Sequence, residues 1–325
     1  MIECVVSVAM ATFNGEKYIL EQLQSIARQT HLPDECVICD DGSTDSTVEI
    51  VEEFQKDAPF KIIIHKNSPR LGLIRNFEKA ISLCKGDMIF LSDQDDVWMP
   101  EKIQIIKDCF LATDAKLIIH DCVPADQNLN PTNVESLFDN MYTVSGRDSE
   151  FVLGCCSAVR RELVGICLPF PESSREFQGH DGFLHYIAGV TNSRFVNKSK
   201  LIIYRRHGAN ASVSRESTVS YGFADRFKAE MNYVLSNNKA GIDNRLIAED
   251  EGLSVVYDRI VSGDNIECAH KFIVEIISRK KVVQARINIR VTPKLFRPVK
   301  ALLFYLKGGY AYFSGIKSLV VDLIR

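Results

Sequence analysis

Residues 1–122 alternate between short apolar runs and amphipathic segments, and this alternation restricts the fold more than any other feature of the sequence. Residues 5–10 form an almost continuous apolar run, which is typical of a strand buried on both faces of a sheet. The same criteria predict strands at 36–39, 61–65, 87–91 and 117–120, and helices at 16–29, 43–55, 73–84 and from Pro100 onward. Strands that alternate with helices predict a parallel sheet with helices on both faces.

Beyond this alternating part the periodicity becomes weaker. Residues 124–148 are rich in Asn, Asp, Pro and Ser, which predicts a long loop or insertion at the sheet edge. Apolar segments return at 151–159 and 201–204, and a helix is predicted between them at 181–188. From about residue 220 the pattern is mainly helical. We therefore predict an α/β domain over 1–215, followed by a helical region over 216–325.

Composition and the ends of the chain narrow the class of protein. Hydrophobic residues make up 46% and charged residues 25%, which excludes a disordered chain, a collagen and a coiled coil. The start of the chain is interpreted as the first strand, and no uninterrupted apolar run is long enough to cross a membrane, so neither a signal peptide nor a transmembrane helix is expected. The ten cysteines lie mostly in apolar runs, which predicts buried free thiols in a reducing cytoplasm.

The formal net charge of −3 conceals an asymmetry along the chain. Residues 271–325 carry a net charge of +10, so residues 1–270 carry −13. An acidic body argues against binding of nucleic acid, because phosphate neutralisation requires positive charge near the binding site. In the basic tail, lysines and arginines are interleaved with apolar side chains. The charges singled out there are Lys294, Arg297, Lys300 and Lys307, and the apolar residues are Leu302, Leu303, Phe304, Leu306, Tyr310, Tyr312 and Phe313.

Polar clusters follow three of the predicted strands. They are residues 11–15 after the first strand, 40–45 after the second and 92–98 after the fourth. Because ligands of parallel α/β sheets bind at the carboxyl ends of the strands, we expect these clusters to meet at one edge. A glycine-rich phosphate loop is not found after the first strand, which disfavours a dinucleotide dehydrogenase and a P-loop kinase.

Acidic residues dominate two of these clusters. Asp93, Asp95 and Asp96 place three carboxylates within four residues, an arrangement that suits a hard cation such as Mg²⁺ or Mn²⁺. The alternative is a solvated acidic turn in which Asp96 caps the next helix. The presence of Asp40 and Asp41 at the end of a strand is explained if a carboxylate there accepts hydrogen bonds from a base and a ribose. A turn followed by a helix cap at Ser43 or Thr44 explains part of the same segment.

Taken together, the segments 6–14, 39–45 and 90–98 closely resemble glycosyltransferase family 2. Two further segments, 179–183 and 204–210, are similar to its rhamnosyltransferase-like and O-antigen branch. The resemblance extends from residue 4 to about residue 210. It implies a GT-A fold and the inverting transfer of a sugar from a nucleotide diphosphate sugar. It further implies that residues 1–122 bind the nucleotide sugar and that residues 123–215 bind the acceptor.

Individual residues acquire roles from the same resemblance. The implied contacts to the nucleotide sugar are Ala11, Thr12, Asn14, Asp40, Asp41, Asp93, Arg205, Arg206 and His207, of which the last three face the diphosphate. Asp93 and Asp95 are the implied ligands of Mn²⁺ or Mg²⁺. Asp181 is the implied catalytic base, and the acceptor side is formed by Gly154, Cys155 and His180.

Each of these roles has a structural alternative. Asp181 could be a helix N-cap, and residues 205–207 could be a surface charge run. Residues 154–157 could be a tightly packed strand, and His180 could pack or position Asp181. For the tail, the alternative to a membrane anchor is a helical subdomain whose basic residues are solvated.

The function expected from the sequence is an inverting hexosyl- or rhamnosyltransferase of bacterial O-antigen or capsule biosynthesis. Its donor would be a UDP- or dTDP-sugar, and its acceptor an oligosaccharide or an undecaprenyl-diphosphate-linked glycan. It would be cytoplasmic and peripheral at the inner face of the membrane through the basic tail. The competing hypotheses are a sugar nucleotidyltransferase and a non-catalytic protein that binds nucleotide sugars.

Overall fold

The chain folds into two compact units in a computed structural model. The structure describes residues 4–145, 153–177, 179–208, 210, 239–263, 266–313 and 315–324. The first unit comprises Met1–Phe170, Gln178–Gly189 and Ser193–Gly222, and the second comprises Pro171–Phe177, Val190–Asn192 and Phe223–Arg325. The domain boundary predicted between 215 and 216 lies outside the described residues.

The first unit is built on an eight-stranded sheet with the order β3-β2-β1-β4-β7-β6-β8-β5. Its strands are β1 (Val6–Thr12), β2 (Glu35–Asp40), β3 (Lys61–Lys66), β4 (Met88–Ser92), β5 (Val97–Trp98), β6 (Leu117–Ala125), β7 (Ser157–Arg160) and β8 (Arg194–Arg205). The helices are α1 (Ile19–Ala27), α2 (Thr47–Gln55), α3 (Leu73–Leu83), α4 (Lys102–Ala112), α5 (Leu137–Ser145), α6 (Arg161–Cys167) and α7 (His180–Val190).

The strand β1 occupies the centre of the parallel part of the sheet. It pairs in parallel with β2 on one side and with β4 on the other, and β2 pairs in parallel with β3. Every residue of β1 is buried, as its apolar sequence predicts for a strand covered on both faces. The expected α/β fold with a mostly parallel sheet is confirmed.

The strand β7 runs antiparallel between β4 and β6. Because of this reversed direction, the beginning of β7 lies at the carboxyl end of β4, where Phe90 is in register with Ala158. The 3-10 turn Gly154–Cys156 immediately precedes β7, so it lies at the same edge as the acidic residues that follow β4. Antiparallel insertion therefore brings a distant segment to the edge where the parallel strands end.

The long loop or insertion predicted over 124–148 contains regular structure in its described part. The strand β6 continues to Ala125, and α5 forms within the segment. The buried carboxylate of Asp121 explains this helix, because its Oδ1 accepts the backbone N–H of Phe138 at 2.9 Å and its Oδ2 accepts the hydroxyl of Ser136 at 2.5 Å. These contacts fix the start of the helix from a strand more than ten residues away, which local periodicity does not reveal.

The second unit is helical, as expected for this region. Its elements are α8 (Lys239–Ser262), α9 (Ile266–Val291), α10 (Arg297–Leu306), the 3-10 turn Gly309–Tyr312, and α11 (Ile316–Ile324). Among the described helices, none combines the length and the apolar character needed to cross a membrane. The cysteines whose side chains are described, from Cys4 to Cys167, are free thiols, and all of these except Cys4 and Cys109 are buried.

Arginines of the basic tail are bonded inside the second unit. Arg286 forms an ion pair with the fully buried Asp322 at 3.0 Å, and Tyr310 donates to the same carboxylate at 2.8 Å. Arg290 pairs with Asp243 at 2.8 Å. Arg297 is buried and donates to the carbonyl of Arg290 at 2.9 Å.

The expectation that Arg297 contributes surface charge is therefore wrong. Its carbonyl partners lie where the last turn of α9 ends, so the guanidinium satisfies acceptors that the helix leaves unpaired.

We predict that Arg286→Met destabilises the second unit by about 3–5 kcal/mol, because Asp322 would remain as a buried charge without its main partner. Tyr310→Phe removes one hydrogen bond from the same carboxylate and should cost about 1 kcal/mol. Urea denaturation followed by circular dichroism measures both changes. Equal, small losses of unfolding free energy for the two variants would show that the ion pair does not organise this unit.

Candidate active site

The carboxyl ends of β1 and β2 meet at Thr12 and Asp40, which are partners in the strand register. The Thr12 hydroxyl donates to Asp40 at 2.9 Å. The same carboxylate accepts the backbone N–H groups of Gly42 at 3.1 Å and Ser43 at 2.8 Å. Asp40 thus shapes the turn that follows β2, in which Gly42 adopts a positive φ of 84°.

Asp41 is held by four donors from the protein. Its carboxylate accepts the N–H groups of Leu71 at 2.7 Å and Gly72 at 2.9 Å, the amide of Asn67 at 3.1 Å and the guanidinium of Arg70 at 3.2 Å. Burial alone would raise the pKa of Asp41, but these hydrogen bonds bring the pKa below its ordinary value. The group is therefore an ionised acceptor at neutral pH.

Asn14 connects the loops that follow β1 and β2. Its N–H donates to the Ser43 hydroxyl at 2.8 Å, and its side-chain oxygen accepts the N–H of Thr44 at 2.9 Å. Ala11 is buried one residue before the end of β1. The helix cap predicted at Ser43 or Thr44 is wrong, since α2 begins at Thr47, whose N–H is accepted by Asp45 at 3.0 Å.

The three acidic residues that follow β4 lie in different environments. Asp93 is half-buried, and burial, followed by the charges of Asp95 and Asp181, raises its pKa to about 7. Asp96 is fully buried, and burial together with its two acidic neighbours raises its pKa well above the ordinary value. One oxygen of Asp96 accepts the N–H of Arg205 at 3.0 Å. Asp96 does not cap the next helix, because β5 follows it and α4 begins only at Lys102. Its other oxygen has no hydrogen-bond partner among the described residues.

A cation would fit this acidic cluster. Among the described residues, the donor atoms of Asp93, Asp96 and Cys155 lie within 4.8 Å of one another. The Asp95 carboxylate accepts from His207 Nε2 at 2.8 Å and from the Asn210 amide at 3.1 Å. Carboxylates crowded in a partly dry site repel one another, and a hard divalent cation offsets that repulsion. The orphaned oxygen of Asp96 supports the same conclusion, whereas the thiol of Cys155 is too soft a ligand for Mg²⁺.

Lys102 lies within interaction range of Asp93 and Asp96 and was not identified from the sequence. It is fully buried, donates to the carbonyl of Cys155 at 2.8 Å and lies 3.7 Å from the ring centroid of Trp98. Burial lowers its pKa to about 8, so it retains a positive charge at neutral pH beside Asp93 and Asp96. A lysine in the first turn of a helix resembles any surface lysine in the sequence, so no local signal could have identified it.

Gly154, His180 and Asp181 come together at the edge where β7 begins. A Cβ atom placed on Gly154 would lie 2.7 Å from His180 Nε2 and 3.4 Å from Asp181 Oδ2. Any larger residue would therefore collide with the histidine ring. The charge of Asp181 also raises the pKa of Asp93, so the two carboxylates lie within interaction range. Residues 154–156 form a 3-10 turn and not the strand considered as an alternative.

His180 is buried without satisfying its ring nitrogens. The ring stacks on Phe77 with centroids 3.7 Å apart and an interplanar angle of 10°. Neither nitrogen has a hydrogen-bond partner within the part of the chain that the structure describes. Burial lowers the pKa of His180, which keeps the imidazole neutral. Asp181 lies in the first turn of α7 and accepts the N–H of Gly182 at 2.9 Å.

The segment 205–207 is bound to the acidic loop. Arg205 is buried, donates to the carbonyls of Asp95 at 2.7 Å and Gln127 at 2.8 Å, and pairs with the carboxylate of Glu21. This placement differs from the expected contact with a diphosphate, because the guanidinium is committed to the protein. Arg206 donates to the Tyr204 hydroxyl at 2.9 Å.

Gln94 connects the loop after β1 to the acidic loop after β4, and it was not identified from the sequence. Its side-chain oxygen accepts the N–H of Phe13 at 2.9 Å, and its side-chain nitrogen donates to the carbonyl of Phe13 at 3.0 Å. A Cβ on Gly15 would meet the Gln94 amide, so a larger residue there would displace this amide from Phe13. The amide pair fixes the loop after β1 against the acidic loop after β4.

Comparisons with known proteins identify the family and the fold of the chain. The profile of Glycosyl transferase family 2 matches residues 7–165. The dTDP-rhamnosyl transferase RfbG of Shigella flexneri is 31% identical over 222 residues, which cover 62% of this chain and 75% of that protein. The abequosyltransferase RfbV of Salmonella typhimurium is 32% identical over 119 residues, which cover 36% of this chain and 35% of that protein.

The fold is also shared with a solved structure. Residues 1–349 of TarS from S. aureus, in complex with UDP, superpose with a TM-score of 0.53 at 17% identity. The superposition covers 98% of this chain and 90% of that one. At this level of identity the likeness concerns the fold alone. The matched profile, the identity to the rhamnosyl transferase and the shared fold show that the chain belongs to glycosyltransferase family 2.

Proposed function

We propose that the protein transfers a sugar from a nucleotide diphosphate sugar to an acceptor hydroxyl with inversion, in the synthesis of a bacterial surface polysaccharide such as an O-antigen or capsule. The observation that carries the proposal is the meeting of three groups at one sheet edge of the first unit. These are the turn held by Asp40 and Asp41, the acidic cluster after β4, and Asp181. The names of the rhamnosyl and abequosyl transferases support the same type of reaction.

The donor nucleoside would lie along the ends of β1 and β2. Ala11, Thr12 and Asn14 would form one side of the subsite, and Asp41, shaped by Asp40, the other. An ionised carboxylate at neutral pH is a suitable acceptor for the N–H of a pyrimidine base, in keeping with a UDP- or dTDP-sugar. We assign the diphosphate to the side where Arg206 and His207 lie, with Arg205 holding their segment against the acidic loop.

A divalent cation, Mn²⁺ or Mg²⁺, would be held by Asp93 and Asp95, with Asp96 behind them. When bound, it supplies positive charge to the departing diphosphate. The proximity of the donor atoms of Asp93 and Asp96 and the unpartnered oxygen of Asp96 among the described residues support this assignment, since a cation would offset the repulsion of the carboxylates. The buried positive charge of Lys102 offsets part of the negative charge of these aspartates.

Asp181 would act as the catalytic base. It would take the proton of the acceptor hydroxyl while that oxygen attacks the anomeric carbon from the face opposite the diphosphate, and a single displacement inverts the configuration. Gly154 and Cys155 would line the path of the acceptor beside His180, whose ring occupies the space that a side chain on Gly154 would need. His180, whose ring nitrogens are unsatisfied in the described structure, would face the same path.

The loop after β1 argues against a sugar nucleotidyltransferase. Such an enzyme needs backbone N–H groups there to hold a triphosphate. In this protein the N–H groups of Phe13, Asn14 and Gly15 are used by Gln94, by Ser43 and by Thr47 at 2.7–2.9 Å. The complete set of carboxylates argues equally against a non-catalytic binding protein.

We further propose that the acceptor is an oligosaccharide or an undecaprenyl-diphosphate-linked glycan and that the enzyme works at the cytoplasmic face of the membrane. The support is the rhamnosyl and abequosyl transfer that the names of the relatives state, together with the basic second unit. A lipid-linked acceptor is held at a membrane surface, so an enzyme that uses one would work beside that surface.

Replacing the proposed base tests its role. Asp181→Asn should lower transfer by at least about a hundredfold, because the amide cannot accept the proton. Binding of the donor should persist, and a thermal shift with the nucleotide sugar measures it. The matched control is Asp114→Asn, which changes an exposed aspartate of the same unit. Transfer by Asp181→Asn at the rate of the control would remove Asp181 from the mechanism.

The cation site is tested by binding. We expect Mn²⁺ to increase the rise in unfolding midpoint that a UDP- or dTDP-sugar produces, since linkage stabilises the folded state. Asp95→Ala should abolish the contribution of the metal, because it removes a proposed ligand. Full transfer activity of Asp95→Ala would contradict the metal assignment.

Gln94 is expected to be a positioning residue. Gln94→Ala removes two hydrogen bonds to Phe13, and the KM for the nucleotide sugar should rise about tenfold while kcat changes little. Gln104→Ala, which changes a glutamine on α4, serves as the control. A fall in kcat at unchanged KM would show that Gln94 does not act by fixing the donor loop.

A further inference from the structure

One side of α10 and of the turn before it presents large apolar side chains to solvent. Each of the following residues is more than half exposed: Leu295, Phe296, Val299, Leu302, Leu303 and Leu306. Their spacing of three and four residues places them on one side of a helix. We call this set the α10 apolar face. Scattered apolar residues on a surface need no explanation, but a contiguous set of this kind marks a binding surface.

Exposed positive charges lie in the same segment as the α10 apolar face. Lys294, Lys300 and Lys307 are all exposed. Between residues 276 and 324 the sequence contains a single acidic residue, Asp322, which is fully buried and paired with Arg286. The segment that carries the α10 apolar face therefore has exposed lysines and no exposed acidic residue that would neutralise their charge.

We propose that the α10 apolar face binds the surface of an anionic lipid bilayer, with its apolar side chains below the headgroups and the three lysines at the lipid phosphates. Apolar area combined with positive charge is the physical basis of interfacial binding, and lysine stems can lie along apolar surface while their ammonium groups reach the phosphates. The half-exposed Tyr312 and the exposed Tyr305 add the aromatic side chains favoured at such interfaces.

The charges favour a membrane over a second copy of the chain. Two copies joined through this face would bring their lysines together without acidic partners, which is repulsive.

The structure also corrects which residues of the basic tail are exposed. Arg297 and Tyr310 are buried, so the apolar set begins at Leu295 and ends at Leu306. The inference extends the proposed function, which places the acceptor at a membrane, and it is tested by binding alone.

Flotation of the full chain with vesicles tests the proposal. We expect the protein to float with phosphatidylcholine–phosphatidylglycerol vesicles, less with phosphatidylcholine alone, and less as salt is added. The double variant Leu302→Ser, Leu306→Ser should bind at least about tenfold more weakly. Lys294→Gln and Lys307→Gln should each weaken binding about fivefold.

The matched control is Ile247→Ser with Val274→Ser, which changes two exposed apolar residues elsewhere on the same unit and should leave flotation unchanged. Equal flotation of the wild type and the Leu302/Leu306 variant would overturn the proposal, as would a wild type that does not float. A dimer in analytical ultracentrifugation that the same variant dissociates would instead assign the face to a second copy. The thermal shift by nucleotide sugar should persist in the variant, which separates this test from the proposed function.

Discussion

The repulsion among the carboxylates after β4 is the constraint on which the rest of the first unit's site depends. Asp93 and Asp96 are kept close together although burial raises the pKa of each, so the surroundings must hold them there. Arg205 supplies an N–H, His207 binds Asp95, and Lys102 adds a buried positive charge. This concentration of carboxylates is the feature that suits the divalent cation of the proposed function.

Local periodicity predicted the part of the fold that depends on neighbouring residues. The strands from β1 to β4 and the helices between them follow from apolar runs, and the parallel topology then places their polar ends at one edge. The burial of Lys102, the amide pair made by Gln94 and the approach of Gly154 to His180 depend on residues far apart in the sequence. Such contacts leave no local pattern, so only the fold reveals them.

In the second unit, arginines and lysines that look alike in the sequence lie in different environments after folding. Four arginines, Arg279, Arg286, Arg290 and Arg297, donate to carboxylates or carbonyls of the same unit, which suits the fixed fork of the guanidinium. The lysines Lys294, Lys300 and Lys307 remain exposed. The net charge of +10 therefore describes both an internal network of arginines and a surface that carries these three lysines.

The most direct test of the account is the product released from UDP- and dTDP-sugars in the presence of a lipid-linked oligosaccharide acceptor. The account predicts release of a nucleoside diphosphate that depends on Mn²⁺ or Mg²⁺ and stops when a chelator is added. Release of a nucleoside triphosphate when pyrophosphate is supplied, or transfer that the chelator leaves unchanged, would contradict it.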